Sequence, residues 1–330
     1  MRTRNRRIFT CALAAVFGIA TPMSVTADQP PLQVVTTVGM IGDVAEQVAG
    51  DCADVTSLLG AGSDPHLYRP TAADVNRLAQ AELIFYVDPA LEARLAEVLA
   101  GFADRTPSVR LGQAAFDADT LLDDPDEPGQ MDPHLWMDVS RWAGIAPVIA
   151  DAIAEQRPEC ADAMARNTAQ YAARLDALHG WVGDAIASIP QGQRLLVTAH
   201  DAFYYYADAY GIEASEAIEG ISTESEASIG DIRAVADFVI ERQVPAVFVE
   251  TTINPRTIEA LVEEVKSRGH DVRIGGELYS DAMGERGTPD GTYIGMIRAN
   301  TAAITESLGG SLPAWPEALH DWADEWGVDH

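Results

Sequence analysis

The sequence predicts an α/β protein of two lobes joined through a long helix. Three observations carry this. Short apolar runs alternate with helical patterns in the first third of the chain, a second such series begins near Arg194, and an alanine-rich helical stretch over 160–188 lies between them. Strands alternating with helices build parallel sheets with helices packed on their faces.

The elements follow in order. Gln33–Thr37 reads as a buried strand, Met40–Ala49 as a helix, and Val55–Leu59 as a strand entering the loop 60–70. Thr71 with Asp74 three residues on is a capping box opening the next helix. Leu83–Val87 is again strand-like, and Asp117–Gln130, acidic with Pro125, Pro128 and Gly129, reads as an exposed loop. A helical pattern then runs from Val139 toward Ser188, with Pro147 and Pro158 expected to interrupt it. It ends at Ile189-Pro190-Gln191-Gly192. In the second series Arg194–Thr198, Ala246–Glu250 and Val272–Gly275 read as strands. Asp201–Tyr210, Ile229–Arg242, Pro255–Arg268 and Thr292–Leu308 read as helices. The tail from Pro313 carries Trp315, Trp322 and Trp326, expected to dock on a lobe surface. The expected boundaries are a leader at 1–27, a first lobe at 28–157, a linking helix at 158–190 and a second lobe at 191–330.

The leader follows from four arginines without an acid before Ile8, a 13-residue apolar run to Ala20, and a small-residue cleavage site at Val25-Thr26-Ala27. Such a run is too short to span a bilayer as a helix. Cys11 stands early in it, a poor place for lipid attachment. The expectation is an exported, soluble chain starting at Asp28. Against 22 Lys+Arg stand 51 Asp+Glu, a net charge of −29. That surface repels nucleic acid and anionic lipid and attracts cations diffusely. Cys52 and Cys160 are expected to pair in an oxidising compartment, the alternative being two unpaired core residues. No Cys-x-x-Cys motif is present to hold a metal.

Asp-Pro-His-Leu occurs twice, at Asp64-Pro65-His66-Leu67 and Asp132-Pro133-His134-Leu135, followed by Tyr68 and Trp136. Proline fixes its own φ and restricts the residue before it, so each copy presents an imidazole from a stiffened loop. His200 follows the strand that opens the second series. In open α/β sheets ligands sit beyond the carboxyl ends of strands. Asp281 and Ser280 lie on the glycine-rich loop after Val272–Gly275, with Glu277 the rival acid. Three imidazoles and a carboxylate suit Zn²⁺, whereas carboxylate and water favour Mn²⁺ more than imidazole does. Asp64, Asp132 and Asp201 are the acids at hand to orient the imidazoles. His179, His270, His320 and His330 read as surface residues, and Glu224 and Glu226 as solvated or partner-facing.

The segments Gly62-Ser63-Asp64-Pro65-His66, Asp132-Pro133-His134-Leu135-Trp136, Val197-Thr198-Ala199-His200-Asp201-Ala202-Phe203 and Gly275-Gly276-Glu277-Leu278-Tyr279-Ser280-Asp281 together resemble the metal-specific solute-binding proteins of ABC transporters, the zinc/manganese group. The resemblance covers nearly the whole chain after the leader. It implies two Rossmann-like lobes bridged by a stiff helix, limited hinge motion, and one Zn²⁺ or Mn²⁺ held in the interlobe cleft by His66, His134, His200 and Asp281. It also implies a monomeric periplasmic receptor, no enzyme, that serves a membrane permease and touches the membrane complex only peripherally. Manganese members often have Glu where this chain has His200. Many zinc members carry a histidine-rich loop where this chain has Asp117–Gln130. The rival readings are an exported zinc hydrolase with Glu277 as general base, and a metal-binding surface adhesin.

Overall fold

The first half of the chain builds a four-stranded parallel sheet in the order β2-β1-β3-β4. A computed structural model describes residues 29–88, 90–123, 129–224 and 227–329. The expected leader, Glu226 and His330 lie outside the described residues. The elements of this half are β1 (Leu32–Thr36), α1 (Gly39–Ala49), β2 (Ala53–Ser57), α2 (Ala72–Gln80), β3 (Leu83–Tyr86), α3 (Ala96–Ala103), β4 (Ser108–Arg110) and α4 (Leu111–Ala115). β1 lies between β2 and β3, and four of its five residues are buried, because helices cover both faces. Thr71 and Asp74 form the expected capping box at the start of α2.

Two short helices follow, α5 (Val139–Trp142) and α6 (Ile145–Gln156), and then the long α7 (Ala161–Ala187). Pro147 does not interrupt the pattern as expected. It occupies the third position of α6, where the missing N–H would have no intrahelical partner anyway. Pro158 does break the helix, opening a 3₁₀ turn before α7. α7 has 27 residues, about 40 Å at 1.5 Å per residue. Met164, then Tyr171 seven residues on, and Leu175, Leu178, Val182 and Ala185 at three- and four-residue intervals make one buried stripe. That stripe packs on α1 and α6 of the first half and on the helices of the second.

The second half consists of β5 (Leu195–His200), α8 (Tyr204–Tyr210), β6 (Ala214–Glu219), α9 (Ile229–Arg242), β7 (Ala246–Glu250), α10 (Arg256–Ser267), β8 (Arg273–Leu278), α11 (Tyr293–Ser307) and α12 (His320–Trp326). β5 pairs in parallel with β6, and β7 with β8. β5 also packs beside β7, which brings the two two-stranded sheets β6-β5 and β7-β8 together. The tail docks as expected: Trp315 and Trp322 are buried, Trp181 meets Trp315 edge-on at 4.9 Å, and Trp322 donates to Thr292. One apolar core runs from β1 and α1 through α7 to α8 and α11. Cys52 and Cys160 form a disulfide that ties the end of α1 to the root of α7.

Thr37, just past β1, donates to the buried Glu92 at 2.6 Å, and the N–H groups of Val87 and Asp88 reach the same carboxylate at 3.0 Å each. Burial outweighs these hydrogen bonds and pushes the carboxyl up to about 7 from an ordinary 4.5. The folded chain thus keeps a proton that the unfolded chain releases. The stabilisation is complete below about pH 4.5 and is lost as the pH rises to about 7, amounting to about 3 kcal/mol. Glu92→Gln cannot titrate. In urea unfolding, the stability gap between variant and parent should move by about 3 kcal/mol toward the variant between pH 4.5 and 7.5. A gap independent of pH would disprove this.

Candidate metal centre

β5 delivers His200 at its last residue, with all six of its residues buried. His66 and His134 stand on the two Asp-Pro-His turns, and Asp281 follows β8 by three residues. In both turns the aspartate accepts the histidine's backbone N–H, at 2.8 Å in the first and 2.9 Å in the second. The repeated tetrapeptide therefore encodes a repeated turn. The two carboxylates then diverge. Asp132 also takes the ring Nδ1 of His134, at 2.7 Å. Asp64 instead accepts the hydroxyl of Thr223, at 2.7 Å, across to the second half.

The four side chains converge, and none is more than 1% exposed. One donor atom from each lies within 4.8 Å of all the others. His134 Nε2 is 3.4 Å from Nε2 of both His66 and His200. Asp281 oxygens stand 3.3, 3.4 and 3.7 Å from Nε2 of His134, His200 and His66. Donors at about 2.0–2.1 Å from a tetrahedral ion lie about 3.3 Å apart. Five of the donor contacts thus fall near the edge of a four-coordinate site, and all four donors lie within 4.8 Å of one another.

Two buried carboxylates orient the imidazoles from behind. Asp132 holds His134, and Glu250 at the end of β7 holds His200 Nδ1 at 2.6 Å. An N–H donated from Nδ1 leaves the Nε2 lone pair facing the centre. Glu250 also accepts the backbone N–H groups of Ala199 and His200, both at 2.9 Å, so it caps the end of the neighbouring strand as well. Asp201, the acid beside His200 in sequence, is not the group that holds it. Glu250 escapes the sequence reading, although an acid at the end of the apolar run 246–249 obeys the same strand-end rule that singles out His200.

Opposite charges face one another inside the cage. Burial opposes protonation of His134, but Asp132 and Asp281 outweigh it and hold the ring up at about 10. Burial likewise opposes it at His200, where Asp281 and Glu250 hold the ring at about 9. His66 has no such carboxylate behind it, and burial pushes it down to about 3. Burial favours the neutral form of Asp281, but His200 and His134 hold it well below the usual carboxylate range.

The remaining candidates lie elsewhere. Glu277 is an exposed residue within β8, outside the cage, so the base of the hydrolase reading is absent from the site. Glu224 pairs with Arg94 at 3.2 Å. His179, His270 and His320 are half-buried, bonded to the Tyr210 hydroxyl and to the carbonyls of Val244 and Trp315.

Fold and cage define an α/β protein that encloses a buried His₃Asp cluster able to hold one cation. The family described as zinc-uptake complex component A, periplasmic, matches residues 34–307, and the chain belongs to it. It is 38% identical over 311 residues to the zinc-binding protein TroA of Treponema pallidum, covering 92% of this chain and 99% of that one. It is 37% identical over 297 residues to the manganese-binding lipoprotein MntA of Bacillus subtilis, covering 90% and 96%. The solved periplasmic zinc-binding protein TroA superposes with a TM-score of 0.81 over 85% of this chain and 99% of its own.

Proposed function

We propose that the chain is a periplasmic receptor that captures one divalent transition metal, Zn²⁺ before Mn²⁺, and hands it to an ABC permease for import. His66, His134, His200 and Asp281 are its ligands, and the metal is cargo. The observation that carries this is the buried cage in which three imidazole nitrogens and one carboxylate converge within 4.8 Å of one another, a set suited to zinc once the rings give up their protons to the metal. Relatives named for zinc and for manganese support the class of cargo. Four protein donors fill a tetrahedral shell and leave no position for an activated water, which supports capture over hydrolysis. The leader, cleaved after Ala27, belongs to the same reading, and so does a monomer that meets the membrane only at the permease. Among the described residues no helix is long and apolar enough to cross a membrane.

Competitive titration of the metal-stripped protein with Zn²⁺ and Mn²⁺ tests the reading. One equivalent of zinc should bind, and manganese should displace it poorly. Strong preference for manganese would reverse the choice of metal. Failure to bind either ion would sink the receptor reading.

A further inference from the structure

The four donors are sealed from solvent, yet cargo has to enter and leave. One cavity of about 180 Å³ touches the cage, and Asp281 is the single cage residue on its wall. Residues of α1 from Gly39 to Glu46, the end of β2 with the turn after it, and the loop 282–291 also line it. Three acidic residues, Asp43, Glu46 and Asp281, stand there against one basic residue, Arg286, and an excess of negative charge in a low-dielectric cleft concentrates cations. Asp43 is fixed by the hydroxyl of Tyr171 on the long helix, at 3.0 Å. The volume accommodates a hydrated cation, each water of which takes about 30 Å³ in the liquid. Across the cavity Arg286 reaches Glu46 at 2.8 Å, joining the two halves. Both side chains are largely exposed, at 79% and 41%, and such pairs are weak.

We infer that this cavity is the metal's passage, with Asp281 the first ligand met and the Arg286–Glu46 pair a latch across its mouth. The inference rests on the capture reading. On this route the ion meets a carboxylate before any imidazole and sheds water stepwise. The latch controls how fast the ion exchanges and leaves the cage geometry, and hence equilibrium affinity, alone.

Gly60 supplies the test. It lines the cavity, and nothing stands within 4 Å of a Cβ built on it. Gly60→Phe should obstruct the passage, while Arg286→Ala, at an exposed position, removes the latch. Stopped-flow transfer of Zn²⁺ to and from a fluorescent chelator gives both rates. Gly60→Phe should slow uptake and release together at least tenfold, with Kd within about threefold of the parent. Arg286→Ala should speed both by up to about fivefold, again with little change in Kd. If Arg286→Ala leaves both rates unchanged, or Gly60→Phe leaves both unchanged or alters only one of them and so shifts Kd, the passage is elsewhere. If the parent itself takes up no zinc, the capture reading fails instead. Should Gly60→Phe misfold, the Arg286→Ala rates decide alone.

Discussion

His200→Ala lowers zinc affinity roughly 10²–10³-fold. Apparent binding energies of about 10–16 kcal/mol in structural zinc sites, shared over four donors, put about 3–4 kcal/mol on each, and about 1.4 kcal/mol is a factor of ten. The metal-free fold also weakens. Glu250 is buried and keeps only the two backbone N–H donors once the ring is gone, and loss of a buried partner costs about 1–3 kcal/mol. Glu250→Gln separates the two effects, because all four donors remain. Only the orienting group changes, and affinity should fall about 10–100-fold. Isothermal titration on both variants, with circular dichroism melts of their metal-free forms, checks the ordering. Equal affinities for Glu250→Gln and the parent would mean that Glu250 does not set the tautomer of His200.

Replacing Cys52 and Cys160 together by alanine should cost about 4 kcal/mol. The bridge spans 108 residues, and closing a loop of that size in the unfolded chain is worth about 4–5 kcal/mol in the chain-entropy account. For a protein of this size that corresponds to a fall in Tm of about 6 °C. Zinc affinity should hold, since neither cysteine touches the cage. Scanning calorimetry of the double variant and of the parent with and without reductant provides the measurement. A parent whose melting ignores reductant would contradict it. The site of the bridge explains the size of the effect: it fastens the first βαβ unit to the base of α7, the helix on which both halves pack.

Much of this was legible in the sequence where local chemistry and global fold agree. β1, β3, β5 and β7 are apolar runs, and the structure places strands there. β6 reads Ala-Ser-Glu-Ala-Ile-Glu and β4 only Ser-Val-Arg, neither with an apolar run to announce it. Both pair along a single edge, and their place in the sheet comes from that neighbour more than from their own propensity. At the site, strand ends and the repeated turn located the four side chains that the fold brings together. Of the orienting groups, Asp132 was among the acids that the sequence offered, while Glu250 was out of reach because sequence distance says nothing about which carboxylate a ring meets. Asp132 is two residues from its histidine and Glu250 is fifty.

Trp136 joins the halves beside the cage. Its indole donates to the carbonyl of Ser280 at 2.9 Å, and its own carbonyl accepts the Tyr293 hydroxyl at 2.7 Å, both buried. Ser280 is the neighbour of Asp281, and Trp136 lies two residues past His134. His134 and Asp281 come from opposite halves, yet these bonds make them one mechanical body. The boundary along which the cage can part therefore does not follow the boundary between the halves. On the capture reading proposed above, a displacement that kept both bonds would move His66 or His200 away first and leave the ion held by a nitrogen and an oxygen.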